Sequence, residues 1–325
     1  MSARGRVTVL VAAIAAVAVA VVAAAVLSAD GDSAGSPATS TEPELRAGRP
    51  PLSLALGFRA DAEARDLSRG AALYQRGELD DAAGLFARHD SLEAKVGTAF
   101  SAWPDGTLDR LEQLAKLYPD VAVVQLHLGL ARLWAGEGDP VEAWRAARDA
   151  EPDTPYAVVA GNLIHPNLPR GLPGFIPSFS APASITKLPP ARQLEALRTA
   201  AERGGLREQL LYGVGLQRVG RPLSAARIFD AAARAFPSSA EALVASAVGA
   251  FDKDAPEKAF GRLGPLSGTY PDEPSVRFHL GVLLLWTGRI EGAERQFRLA
   301  SKAQPGSPLA READRYLETI RRARD

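Results

Sequence analysis

The sequence predicts an all-α protein: an α-solenoid of helical hairpins preceded by one apolar N-terminal helix. Three observations carry that prediction. Residues that shape helical hairpins recur every 34 positions, an unbroken apolar run extends from Val7 to Leu27, and the composition has an ordinary globular balance. Hydrophobic residues make up 46% of the 325 residues and charged residues 23%, which excludes wholesale disorder and a multi-span membrane protein. The net charge is zero, from 38 basic and 38 acidic side chains, so no basic excess points to a nucleic-acid partner. The absence of cysteine excludes disulfides, thiolate metal sites, iron–sulfur clusters, a cysteine nucleophile and a lipid-modified lipoprotein anchor.

Residues 1–28 read as a transmembrane signal-anchor. Apart from Thr8, the run Val7 to Leu27 holds only Ala, Val, Ile and Leu. About 21 residues at about 1.5 Å each span about 31 Å, enough for a hydrocarbon core of about 30 Å. Arg4 and Arg6 precede the run, while Asp30 and Asp32 follow it. The positive-inside rule then puts the N-terminus in the cytoplasm and residues 30–325 outside the cytoplasmic membrane. Cleavage near Val26-Leu27-Ser28, releasing a secreted protein, is the alternative. Residues 29–59, rich in Ser, Pro and Gly, are expected to form a flexible linker, because they have little to bury. Within them Leu52 to Leu56 alternates, which fits either a short strand or a loop packed on the first helix.

The periodicity is clearest from residue 206 to 305. Pro237, Pro271 and Pro305 fall at the same interval as Ala225, Ala259 and Ala293. So do Phe229, Leu263 and Phe297, then Gly213, Ala247 and Gly281, then Gly220, Asp254 and Gly288. Small residues let paired helices approach, Gly220 and Gly288 turn the chain cheaply at positive φ, and proline ends the second helix. This order of small, large, Gly, Ala, aromatic, Ala and Pro resembles the tetratricopeptide repeat, as seen in bacterial membrane-anchored members of that family. The excess of Arg over Lys, 32 to 6, agrees with a GC-rich bacterial source. The resemblance implies a right-handed α-solenoid. It covers residues 191–307 well and residues 60–150 more weakly, where Gly70, Leu73, Gly77, Ala82 and Phe86 keep the same offsets. Residues 308–325 suit a capping helix.

Residues 151–190 break the period. Their nine prolines forbid continuous helix, although a helix from about 154 to 164 and another resuming near Pro190 are expected. Phe175, Ile176 and Phe179 are too apolar for a disordered linker, so this loop is expected to pack on the solenoid's inner surface or its edge. It then patches a lost turn, covers a groove, or contacts a partner.

On the implied solenoid the first helix of each pair lines the inner face. Arg207, Leu210, Val214, Gln217 and Arg218 then point inward from one repeat, followed by Val244, Val248 and Phe251, and by Phe278, Val282, Leu285 and Trp286. Leu126, Leu130, Leu133 and Trp134 take equivalent places earlier. Trp134 and Trp286 stand alike in their helices, which makes them candidate anchors for a protein segment, with core packing as the alternative. The family's clamp for acidic C-terminal tails is missing, since apolar residues such as Leu210, Val244 and Phe278 occupy its positions. A groove ligand would therefore be apolar, extended or helical.

No enzyme is expected. His89, His127, His165 and His279 lie far apart, with no paired ligand spacing, phosphate loop or nucleophile elbow nearby, so no metal or cofactor is predicted. The expected function is a membrane-anchored scaffold or adaptor that binds an unidentified protein or peptide, with a role in assembling an envelope complex. Two other readings remain: a self-associating homo-oligomer, and an enzyme subunit whose site arises only in three dimensions.

Overall fold

The computed structural model describes residues 48–324, which form sixteen α-helices and no strand. The expected transmembrane segment lies outside the described residues. Among these, no helix is long and apolar enough to cross a membrane. The chain divides into two compact units that meet in sequence between Ile164 and His165.

The N-terminal unit contains α1 (Ala62–Arg76), α2 (Leu79–Phe86), α3 (Leu92–Ser101), α4 (Thr107–Leu117), α5 (Ala122–Ala135), α6 (Pro140–Ala150) and α7 (Pro155–Ile164). The carboxylate of Asp61 and the hydroxyl of Ser91 accept backbone N–H groups at the starts of α1 and α3. Asp139 caps α6, whose first residue is Pro140. The C-terminal unit contains α8 (Ala183–Thr186), α9 (Pro190–Arg203), α10 (Leu206–Arg218), α11 (Pro222–Ala235), α12 (Ala240–Gly249), α13 (Glu257–Thr269), α14 (Pro274–Trp286), α15 (Ile290–Ala303) and α16 (Pro308–Arg324).

Both units are stacks of helical hairpins. Each first helix packs on its own second helix and on the next first helix: α1 on α3, α3 on α5 and α5 on α7 in one unit, and α10 on α12, α12 on α14 and α14 on α16 in the other. The periodic residues have the expected roles. A Cβ added to Gly281 would lie 2.7 Å from the Phe297 ring, and one added to Gly70 would lie 2.7 Å from the Phe86 ring. Only a bare backbone lets the second helix bring its aromatic side chain so close. Gly77, Gly136, Gly220 and Gly288 turn the hairpins at φ between 70° and 87°. Helices α11, α13 and α15 stop two residues before Pro237, Pro271 and Pro305. In the repeat where Asp254 replaces the turn glycine, α12 ends early at Gly249 and α13 starts only at Glu257.

Helix α16 caps the stack as expected. It buries Leu309, Ala313, Tyr316 and Ile320, and the Tyr316 ring stacks on Phe297 at 4.9 Å. Helices α7 and α9 lie where the proline-rich stretch allows helix.

One boundary needs correction. The linker expected over residues 29–59 ends earlier, because residues 49–56 are bound within the N-terminal unit. Leu52 is buried at 7% exposure, and Leu54, Ala55 and Leu56 pack against the same core. The stretch forms no strand, and its contacts extend well beyond the first helix.

Candidate functional site

Each unit presents a face built by its first helices, and in each a non-helical segment of the chain itself lies along that face. In the N-terminal unit this strap comprises residues 49–56. The Tyr74 hydroxyl of α1 donates to the Pro50 carbonyl at 2.6 Å. The Ser53 N–H donates to His127 Nε2 of α5 at 3.1 Å, and the Ala55 N–H donates to the Tyr156 hydroxyl of α7 at 3.0 Å. N–H groups two residues apart facing the same way are the mark of an extended chain.

In the C-terminal unit the strap comprises residues 171–180. The Phe175 N–H donates to Gln217 Oε1 of α10 at 3.1 Å, and the Ile176 N–H to His279 Nε2 of α14 at 3.0 Å. Ser178 donates its N–H to Glu241 Oε1 of α12 at 2.6 Å and its hydroxyl to Oε2 at 3.1 Å. Arg207 donates to the Ser180 carbonyl at 2.9 Å and sits over the Phe179 ring at 4.9 Å. Upstream, Lys253 Nζ donates to the Pro169 carbonyl at 2.8 Å. The strap therefore runs against the direction of α10, from Gln217 near its end to Arg207 near its start.

The two histidines share one arrangement. His127 Nδ1 lies 2.6 Å from the Val123 carbonyl and His279 Nδ1 lies 2.7 Å from the Ser275 carbonyl, one helical turn back in each case. A carbonyl can only accept, so Nδ1 carries the proton and Nε2 offers its lone pair to the strap N–H. Burial lowers both imidazoles to about 4, opposed by the backbone carbonyl bond, so both rings are neutral near pH 7. An aromatic ring flanks each. Phe100 meets His127 edge-on at 5.0 Å, whereas Phe175 of the strap stacks on His279 at 5.1 Å. Burial also raises the Glu241 carboxyl above its ordinary value, with the Glu273 charge adding to the rise, while the Ser178 N–H and hydroxyl oppose it. Burial lowers the Lys253 ammonium to about 8.

The expected inner-face residues separate into two groups. Gln217 and Arg207 touch the strap directly, and Phe175, Ile176 and Phe179 belong to it. Phe175 is fully buried, in edge contact with Phe229 at 5.4 Å, while Ile176 and Phe179 pack half-buried on the same core. Of the two placements expected, the inner surface or the edge, the loop lies on the face built by the first helices.

The expectation of an open groove does not hold. Leu130, Leu210, Val214, Phe251, Phe278, Val282, Leu285 and Trp286 are all buried, between 0% and 7% exposed. Trp286 at 2% meets Phe251 edge-on at 6.0 Å within the core, so it presents no anchor surface. Trp134 and Leu133 are half-buried against the N-terminal core, and Arg218 is half-buried at the end of α10. The reason is geometric. A first helix is covered by its second helix, by neighbouring first helices and by the strap, which buries most of its apolar residues.

Sequence reasoning missed His127, His279, Glu241, Tyr74 and Tyr156. A signal for the histidines was present. HLGLARLWAG at 127–136 and HLGVLLLWTG at 279–288 share His, Leu, Gly, Leu, Trp and Gly in register. The separation of the histidines is wrong for a shared metal, whereas accepting a backbone N–H needs no second histidine nearby.

No protein-family model matches the chain, and no curated protein matches it. Among solved structures it is similar to yeast Tom70, with 12% sequence identity and a TM-score of 0.32, over 85% of this chain and 67% of that one.

Proposed function

We propose that the protein is a non-catalytic, membrane-anchored scaffold of tetratricopeptide-like hairpins that binds extended segments of a protein partner outside the cytoplasmic membrane. One observation carries this reading. Both units hold a non-helical chain segment by giving its backbone N–H groups side-chain acceptors, His127 and Tyr156 in one and Gln217, His279 and Glu241 in the other. A protein face that satisfies backbone groups in this way has the chemistry of peptide recognition. The perturbed histidines have both nitrogens committed to backbone groups, which leaves them no part in acid–base chemistry. The apolar run Val7 to Leu27 supports the anchor, and the flanking charges support an external location. Assembly of an envelope complex is the role this placement favours.

The test is crosslinking of the full-length protein in its own membranes, followed by mass spectrometry of the attached chains. The expected result is one dominant partner, crosslinked through the first helices or the straps. Recovery of self-crosslinks alone would replace the scaffold reading with a structural homo-oligomer.

A further inference from the structure

Building on the scaffold reading above, we propose that residues 171–180 are a built-in competitor for the C-terminal groove. In their place the groove takes a partner segment of the same chemistry: non-helical, with an aromatic residue, any two residues, an unmodified Ser or Thr, and a second aromatic residue in succession.

The strap is held as a ligand would be. Four side chains from three helices, Gln217, His279, Glu241 and Arg207, converge on its backbone N–H and C=O groups. Backbone groups are common to every peptide, so these contacts do not require that the occupant belong to this chain. The N-terminal unit shows the same tolerance. There His127 receives the N–H of Ser53 within a Leu-Ser-Leu-Ala sequence, which has nothing in common with Phe-Ile-Pro-Ser at 175–178. One acceptor geometry thus serves two unrelated segments.

Specificity comes from three positions. Phe175 fills a slot between the Phe229 and His279 rings. Phe179 lies under Arg207, half-buried. Ser178 offers both its N–H and its hydroxyl to the two oxygens of Glu241. A phosphoserine at that place would set its charge against the Glu241 carboxylate and lose the hydroxyl donor, so the groove selects the unmodified residue.

The strap can leave without unwinding a helix. Residues 165–182 contain none, and Pro169, Pro173, Pro177 and Pro182 keep the released segment stiff. While tethered, it competes at an effective concentration on the order of millimolar. A free segment of equal intrinsic affinity is therefore held off until the strap is weakened.

The experiment uses the full-length protein in detergent and a fluorescent peptide with the sequence of residues 174–180, followed by anisotropy. Ile176→Pro removes the N–H that His279 receives and leaves every groove side chain in place. The peptide is expected to bind this variant at least about tenfold more tightly than wild type. A peptide phosphorylated at the serine is expected to lose that binding. Ser178→Asp, which sets a carboxylate against Glu241, expels the strap by a separate route and should give the same gain, so misfolding of one variant leaves the other to decide. Equal affinity for wild type and a variant that keeps the wild-type helical circular dichroism would overturn the competitor. In crosslinking, a partner captured equally by wild type and both variants would also overturn it, while leaving the scaffold reading intact. Loss of all partners with peptide binding preserved would do the reverse.

Discussion

The N-terminal and C-terminal units each close their own first-helix face with the same device, yet the two closures differ in what holds them. At 49–56 the strap packs Leu52, Leu54, Ala55 and Leu56 on the core and sets Arg49 over the Tyr74 ring at 5.1 Å, while the ring against the histidine comes from Phe100 of α3. At 171–180 the strap supplies the stacking ring itself through Phe175, adds a hydroxyl to Glu241 through Ser178, and places Phe179 under Arg207. Both closures complete a core, and the second adds the side-chain pattern of a sequence-specific ligand. A histidine acceptor on the first helix is compatible with either, because it reads only an N–H.

The largest contrast is predicted at the paired tryptophans. Trp286→Ala empties a core position and is expected to cost about 3–5 kcal/mol of stability, while Trp134→Ala, which is half-buried, is expected to cost less than half as much. Urea unfolding of the full chain followed by circular dichroism measures both. Equal losses would show that the two helices are equivalent after all.

Acid acts on both units. Each imidazole is near 4 in the folded chain against an ordinary 6.5, so between those values the unfolded chain binds protons that the folded chain refuses. Stability therefore falls as the pH drops from about 6.5 to about 4 and levels off below, by about 3 kcal/mol for each histidine. The difference between wild-type and His279→Leu stability profiles isolates one of them. That difference should be flat above about pH 6.5 and change across the window, and parallel profiles throughout would remove His279 from the account.

Smaller effects distinguish the straps. Ser53→Pro deletes the N–H donated to His127, and its expected cost of about 1–2 kcal/mol, measured by thermal unfolding, gauges the shared backbone latch. Ser178→Ala should cost no more than about 1 kcal/mol, because its hydroxyl bond to Glu241 is solvent-exposed. Ala55→Ser should change stability by less than about 0.5 kcal/mol, since Ala55 is half-buried and makes its contact through its backbone N–H. A gain from Ala55→Ser comparable to the loss from Ser178→Ala would mean that both straps are read by side chain.

Much of the scaffold was legible before any coordinates. Gly213 and Gly281 face the aromatic rings sixteen positions on, Gly220 and Gly288 turn the hairpins, and Pro237, Pro271 and Pro305 stand just beyond helix ends. These roles are local: a close approach, a positive φ and a missing N–H each act within one hairpin, so a one-dimensional period reveals them. The apolar character of the loop at Phe175 and Phe179 likewise showed that it packs.

What the sequence by itself determined about this protein is thus the helical hairpin, its period and the residues that end each helix. Only the tertiary structure decided that the first-helix face of each unit is closed, by residues 49–56 in one and 171–180 in the other, and that Trp286 is core. The reason is distance along the chain. His127 meets a backbone N–H 74 positions away and His279 one 103 positions away. A backbone N–H carries no side-chain identity, so no residue pattern marks the partner of either histidine until the chain has folded.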